Sequence, residues 1–93
     1  MISNEIVKDF KDRMRITHTS EDAYLSSLLR TSYVDIQGKC GEFDISNDAI
    51  GKELVFERSR YVYNDALEFF NDNFLSQINS FALMNRGADD EAL

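Results

Sequence analysis

The order of apolar and polar positions along the chain reads as a succession of helices. In the first segment Ile6, Val7, Phe10 and Met14 fall within one arc at about 100° per residue, while Lys8, Asp12 and Arg15 lie mostly outside it. This spacing predicts a short amphipathic helix from Ser3 to Met14. Thr19 followed by Asp22 makes an acidic variant of the capping box, so a second helix is expected to start there. Leu25, Leu28, Leu29, Ser32, Ile36 and Cys40 then share one stripe, and Ser27, Arg30, Thr31 and Gln37 face the other way. Gly41 stands where a C-terminal cap is needed.

Glu42 to Ser46 alternates Phe43 and Ile45 with acidic or small residues. That pattern fits an apolar plug closing a loop over the core, with a short strand as the alternative. Helical periodicity returns from Asn47, where Glu53, Glu57, Arg60, Asn64 and Glu68 line up as a solvated stripe. Gly51, Val55, Ser59, Val62, Ala66 and Phe69 form a second stripe whose small residues admit a close neighbour, and Phe56, Tyr63, Leu67 and Phe70 widen it. A third stripe, Ile50, Leu54, Arg58, Tyr61 and Asp65, mixes apolar with charged groups, and a monomer with one core does not need it. Asn71, Asp72 and Asn73 read as a break rich in capping side chains. Phe74, Leu75, Ile78, Phe81 and Ala82 follow as a last short helix that Gly87 ends. The expected fold is all-α, a small bundle of about four helices with one long third helix. Residues 1–87 form its single domain and residues 88–93 a short, acidic, flexible tail.

Composition narrows the chemistry. The 93 residues hold 10 Lys+Arg against 17 Asp+Glu, a net charge of −7, and are 43% hydrophobic, enough for one modest core. Such acidity argues against binding that depends on neutralising many phosphates. Lys8, Lys11, Arg13 and Arg15 do cluster, but Glu5, Asp9 and Asp12 interrupt them. Cys40 is the only cysteine, which excludes an intramolecular disulfide and reads as a small packed hydrophobe. His18 is the only histidine, no zinc-ligand spacing occurs, and Gly38-Lys39-Cys40-Gly41 lacks the spacing of a phosphate loop. Glu53, Glu57 and Glu68 share a water-facing stripe rather than converging. No catalytic, cofactor or metal residue is therefore assigned, and an enzyme is not expected. Glu5, Lys8 and Asp9 are wrong for a signal peptide, no apolar run approaches a membrane span, and an intracellular setting is expected. Protein contact remains, because surface arginine and aromatic side chains are common interface anchors. Tyr61 and Arg58 are the leading candidates for it.

Two longer stretches carry a resemblance. In the front half, Val7-Lys8 and Arg13-Met14-Arg15-Ile16 lead through a polar turn to Ser20-Glu21-Asp22-Ala23-Tyr24-Leu25-Ser26-Ser27-Leu28-Leu29. In the back half, Leu54-Val55-Phe56-Glu57-Arg58-Ser59-Arg60-Tyr61-Val62-Tyr63-Asn64-Asp65-Ala66-Leu67-Glu68-Phe69-Phe70 runs into Asn73-Phe74-Leu75-Ser76-Gln77-Ile78-Asn79-Ser80. The order of these parts resembles the small phage head-tail connectors, also called DNA-packaging or head-completion adaptors, of phages and prophages of low-GC Gram-positive bacteria. The resemblance implies a non-enzymatic virion subunit, present in the host cytoplasm during assembly, that forms a homo-oligomeric, dodecameric ring. It implies contact with the portal protein and with a tail-side head-completion or stopper protein. It also implies a channel that genome DNA traverses without sequence-specific binding, no membrane partner and no cofactor. An acidic wall then has a physical use, since phosphates slide past it. Copies in such a ring meet head to tail, the contact expected of Leu54, Arg58, Tyr61 and Asp65. The other reading is a small intracellular helical regulator or inhibitor that binds a host protein through its aromatic face.

Overall fold

The computed structural model describes residues 2–91, with side chains through Arg86. Four helices, α1 (Asn4–Met14), α2 (Asp22–Cys40), α3 (Ala49–Tyr63) and α4 (Phe70–Glu91), are joined by short loops, with a 3-10 turn, Leu67–Phe69, between the last two. The described residues contain no strand, in keeping with an all-α bundle.

α1 starts where its capping residue is. Ser3 Oγ accepts from the Ile6 N–H at 3.2 Å, and Ile6, Val7 and Phe10 turn inward, the Phe10 ring meeting Phe56 of α3 edge-on at 5.3 Å. Arg15 closes the helix in a left-handed conformation (φ 61°), with the Ile16 N–H on the Lys11 carbonyl and the Arg15 N–H on that of Asp12. This is the Schellman pattern, made here without glycine.

α2 begins at Asp22 with Glu21 at its cap position and no side-chain cap bond. The expected box from Thr19 is not made, because Asp22 pairs instead with Lys11 of α1 at 2.7 Å. The stripe Leu25, Leu28, Leu29, Ser32, Ile36 and Cys40 is buried throughout, and Tyr33 joins it. Gly41 ends the helix at φ 93°, its N–H on the Gln37 carbonyl at 2.8 Å.

The loop after α2 is the expected plug. Ile45 is fully buried, and the Phe43 ring sits against Tyr33 of α2 and Phe81 of α4, with centroids 5.1 and 5.2 Å away. The Tyr33 hydroxyl donates to the Phe43 carbonyl and accepts from the Ile45 N–H at 3.2 Å. Asn85 of α4 fastens the other edge, its amide donating to the carbonyls of Cys40 and Glu42 at 2.9 and 3.0 Å.

α3 departs from expectation in length. It stops at Tyr63 after 15 residues, and α4, with 22, is the longest helix, so the long helix is the fourth and not the third. The cause is Asp65, which adopts φ 58° and lets the Ala66 N–H reach the Tyr61 carbonyl at 2.8 Å, a second Schellman ending. Aspartate tolerates this left-handed conformation better than most residues. The turn then shifts the phase, leaving Phe69 57% exposed and Phe70 1% exposed. Asn71, Asp72 and Asn73 lie in the first turns of α4 rather than in a break, and α4 continues past Gly87. Ile78 and Phe81 enter the core as expected, but Leu75 is 55% exposed. The tail over residues 88–93 falls outside the residues whose side chains are described.

Gly51 marks the tightest approach. A Cβ there would lie 2.4 Å from two carbons of the Phe43 ring. That ring is held between Tyr33 and Phe81, so it cannot yield freely. Gly51→Ala should therefore destabilise the chain by about 1–2 kcal/mol, overpacking outweighing the better helix propensity of alanine. A thermal unfolding midpoint unchanged or raised in that variant would contradict this packing.

Candidate assembly surface

The four contact candidates on α3 are not equivalent. Leu54 is 2% exposed and belongs to the core. Arg58 is mostly covered, its side chain 13% exposed, with Nε 3.1 Å from Asp35 Oδ2 and Nη1 donating to Ser32 Oγ at 3.1 Å. Ser59, fully buried like Ser32, also donates to Ser32 Oγ at 2.9 Å, so two small residues let α2 and α3 meet closely. Lys39 approaches the same Asp35 oxygen at 2.9 Å and donates to Asn71 Oδ1 of α4 at 2.9 Å. Asp35 Oδ2 is thus shielded from solvent and held by two cations rather than by an aligned hydrogen bond. The network ties α2 to α3 and α4.

Tyr61 stands at the elbow. Its ring packs edge-on against Phe70 and Phe74 at 5.7 and 5.6 Å, the Arg60 guanidinium covers it at 5.2 Å, and its hydroxyl accepts from the Asn73 amide at 3.1 Å. Asp65 is exposed at the α3 terminus. Leu54 and Arg58 therefore face into the chain, where a neighbour reaches neither without opening the core, while Asp65 and the rim of Tyr61 face out. A stripe mixing leucine, arginine and tyrosine is how a half-buried ion pair looks when its partner, Asp35, sits on another helix.

Elsewhere the surface offers little chemistry. A cleft of ≈ 640 Å³ between α1 and α2 is lined by Val7, Ile16 and Ala23 together with Lys11 and Asp22, which already pair with each other. His18 is exposed, 2.9 Å from Ser20 Oγ. Burial pushes the Cys40 thiol up from its ordinary value, and the thiol lies 3.5 Å from the Ile78 carbonyl. Among the described residues no three metal-ligating side chains converge.

What the sequence reading missed is an uncovered apolar surface on two helices. Tyr24 and Val34 of α2 are 50% and 63% exposed, and Leu75, Leu83 and Met84 of α4 are 55%, 70% and 66% exposed. A signal was present, since residues 73–85 contain no charged side chain at all.

A family model described as Phage gp6-like head-tail connector protein matches residues 4–78, from the start of α1 into α4. The chain belongs to this family of phage head-tail connectors. No curated protein and no solved structure matches it. As a connector it is a structural protein of the phage virion that assembles with other phage head and tail proteins, and its family is not an enzyme class. No helix among the connector's described residues is long and apolar enough to cross a membrane.

Two outcomes follow for this connector. Arg58→Ala leaves Asp35 shielded with only Lys39 for company, and should cost about 1–3 kcal/mol of stability in thermal or denaturant unfolding. Unchanged stability would mean that Arg58 is free for another partner. Cys40 should react with a thiol reagent far more slowly in the native chain than in the unfolded one; equal rates would contradict its burial.

Proposed function

We propose that this connector forms a closed homo-oligomeric ring that docks beneath the portal vertex and extends the DNA channel toward the tail. The family match over residues 4–78 carries the reading, and the charge distribution supports it. Six of the ten basic residues, Lys11, Arg13, Lys39, Lys52, Arg58 and Arg60, each lie within salt-bridge distance of a carboxylate of the same chain. Cations committed in this way are poor counterions for DNA, so a wall built from such subunits lets phosphates pass without holding them. The portal protein on the head side and a head-completion or stopper protein on the tail side are the proposed neighbours. Assembly takes place in the host cytoplasm and the ring stays in the virion.

In this reading Leu54 and Arg58 act by holding α3 against the other helices, and Tyr61 by fixing the start of α4. Asp65 stays open to a neighbouring subunit. Their part in the ring is chiefly to set the outer faces in place.

Native mass spectrometry of concentrated protein, with negative-stain imaging, tests the ring. A closed species with a central hole is expected, a dodecamer being the size that the resemblance implies. A chain that stays monomeric both alone and with portal-bearing heads would overturn the proposal.

A further inference from the structure

The uncharged exposed faces of α2 and α4 lie on opposite sides of the chain. On α2 the exposed positions Tyr24, Ser27, Thr31, Val34 and Gly38 run along one line, with Arg30 at its flank. Tyr33, Ile36 and Cys40, on the side of α2 that packs toward α4 and the plug, stand roughly half a turn around the helix from that line at about 100° per residue. On α4, Ile78, Phe81 and Asn85 point toward α2 and the plug, and Leu75, Asn79 and Leu83 point away. One outward face is thus an α2 surface and the other an α4 surface, with the body of the chain between them.

Charge says what can cover them. Every copy carries −7, so a contact between copies that brings no further like charges together is made where neither face is charged. Between Asn73 and Asn85 there is no charged side chain, and among Tyr24, Ser27, Thr31, Val34 and Gly38 there is none either. The faces also match in shape and chemistry. Leu75 and Leu83 protrude from one, while small residues, Ser27, Thr31 and Gly38, leave recesses along the other, with no atom within 4 Å of a Cβ built at Gly38. The hydroxyls of Tyr24, Ser27 and Thr31 can answer the amide of Asn79.

We infer that the α4 face of one copy seats on the α2 face of the next, a head-to-tail contact between two different surfaces of the same chain. It rests on the ring reading above and identifies the subunit contact within it. A contact of this kind propagates, and closes into a ring where its rotation closes.

Two variants test it by complementation. Val34→Asp spoils only the α2 face and Leu83→Asp only the α4 face, both at side chains the fold leaves exposed, with helix content and melting checked by circular dichroism. Each variant alone should lose assembly under conditions where the wild type assembles. Mixed in equal amounts they keep one intact face of each kind, so they should form a one-to-one dimer and nothing larger. Variants that still form rings overturn the assignment of faces and leave the ring standing. A mixture that stays monomeric also overturns it, since a contact between copies requires only copies. Open filaments from the wild type, with one-to-one dimers from the mixture, would uphold the contact and overturn the closed ring.

Discussion

The fold converges on one ring, that of Phe43. It lies outside any helix, yet Tyr33 of α2, Gly51 of α3 and Phe81 of α4 all press on it, and its own carbonyl takes the Tyr33 hydroxyl. Three helices are spaced by one side chain that none of them contributes. This explains why the loop between α2 and α3 is ordered without being a strand. Its backbone groups find partners in Tyr33, Gln37 and Asn85, and the one that is fully buried, the Ile45 N–H, is met by the Tyr33 hydroxyl.

A second constraint is the polar seam between α2 and α3. Ser32 and Ser59 bring the backbones close, and that closeness lets Arg58 reach Asp35. Desolvating these charges is costly on its own, and the arrangement holds because Lys39 and Arg58 share a single carboxylate oxygen. The seam also separates the roles of charge in this connector. Inside, cations are used to hold helices; outside, two long faces have none.

Much of this was legible in the sequence because helical periodicity reports burial wherever a helix runs unbroken. α1, the α2 stripe, the glycine cap at Gly41 and the plug residues Phe43 and Ile45 all followed from spacing alone. Legibility failed at Asp65, where a left-handed turn was made without glycine while the apolar spacing ran on across it through Val62, Ala66 and Phe69. Past that point the period continued on paper while the real helix restarted with a new phase, which put Phe69 outside and Phe70 inside. The third stripe misled for a different reason. Its counter-charge, Asp35, lies on α2, and no spacing within α3 can reveal a partner 23 residues away.

The manner in which α1 is attached has a consequence for its behaviour in concentrated salt. Its middle is held by the apolar stripe Ile6, Val7 and Phe10, and ion pairs flank that stripe on both sides, Lys11 to Asp22 of α2 on one and Asp9 to Lys52 and Arg13 to Glu53 of α3 on the other, all wholly or partly exposed. Screening shortens electrostatic reach from about 8 Å at physiological ionic strength to about 3 Å at 1 M, while apolar contact is not weakened in this way. The middle and the flanks of α1 therefore answer differently to the same change of solvent: at high salt the helix keeps its central apolar keel while the stays on either side that fix its roll weaken.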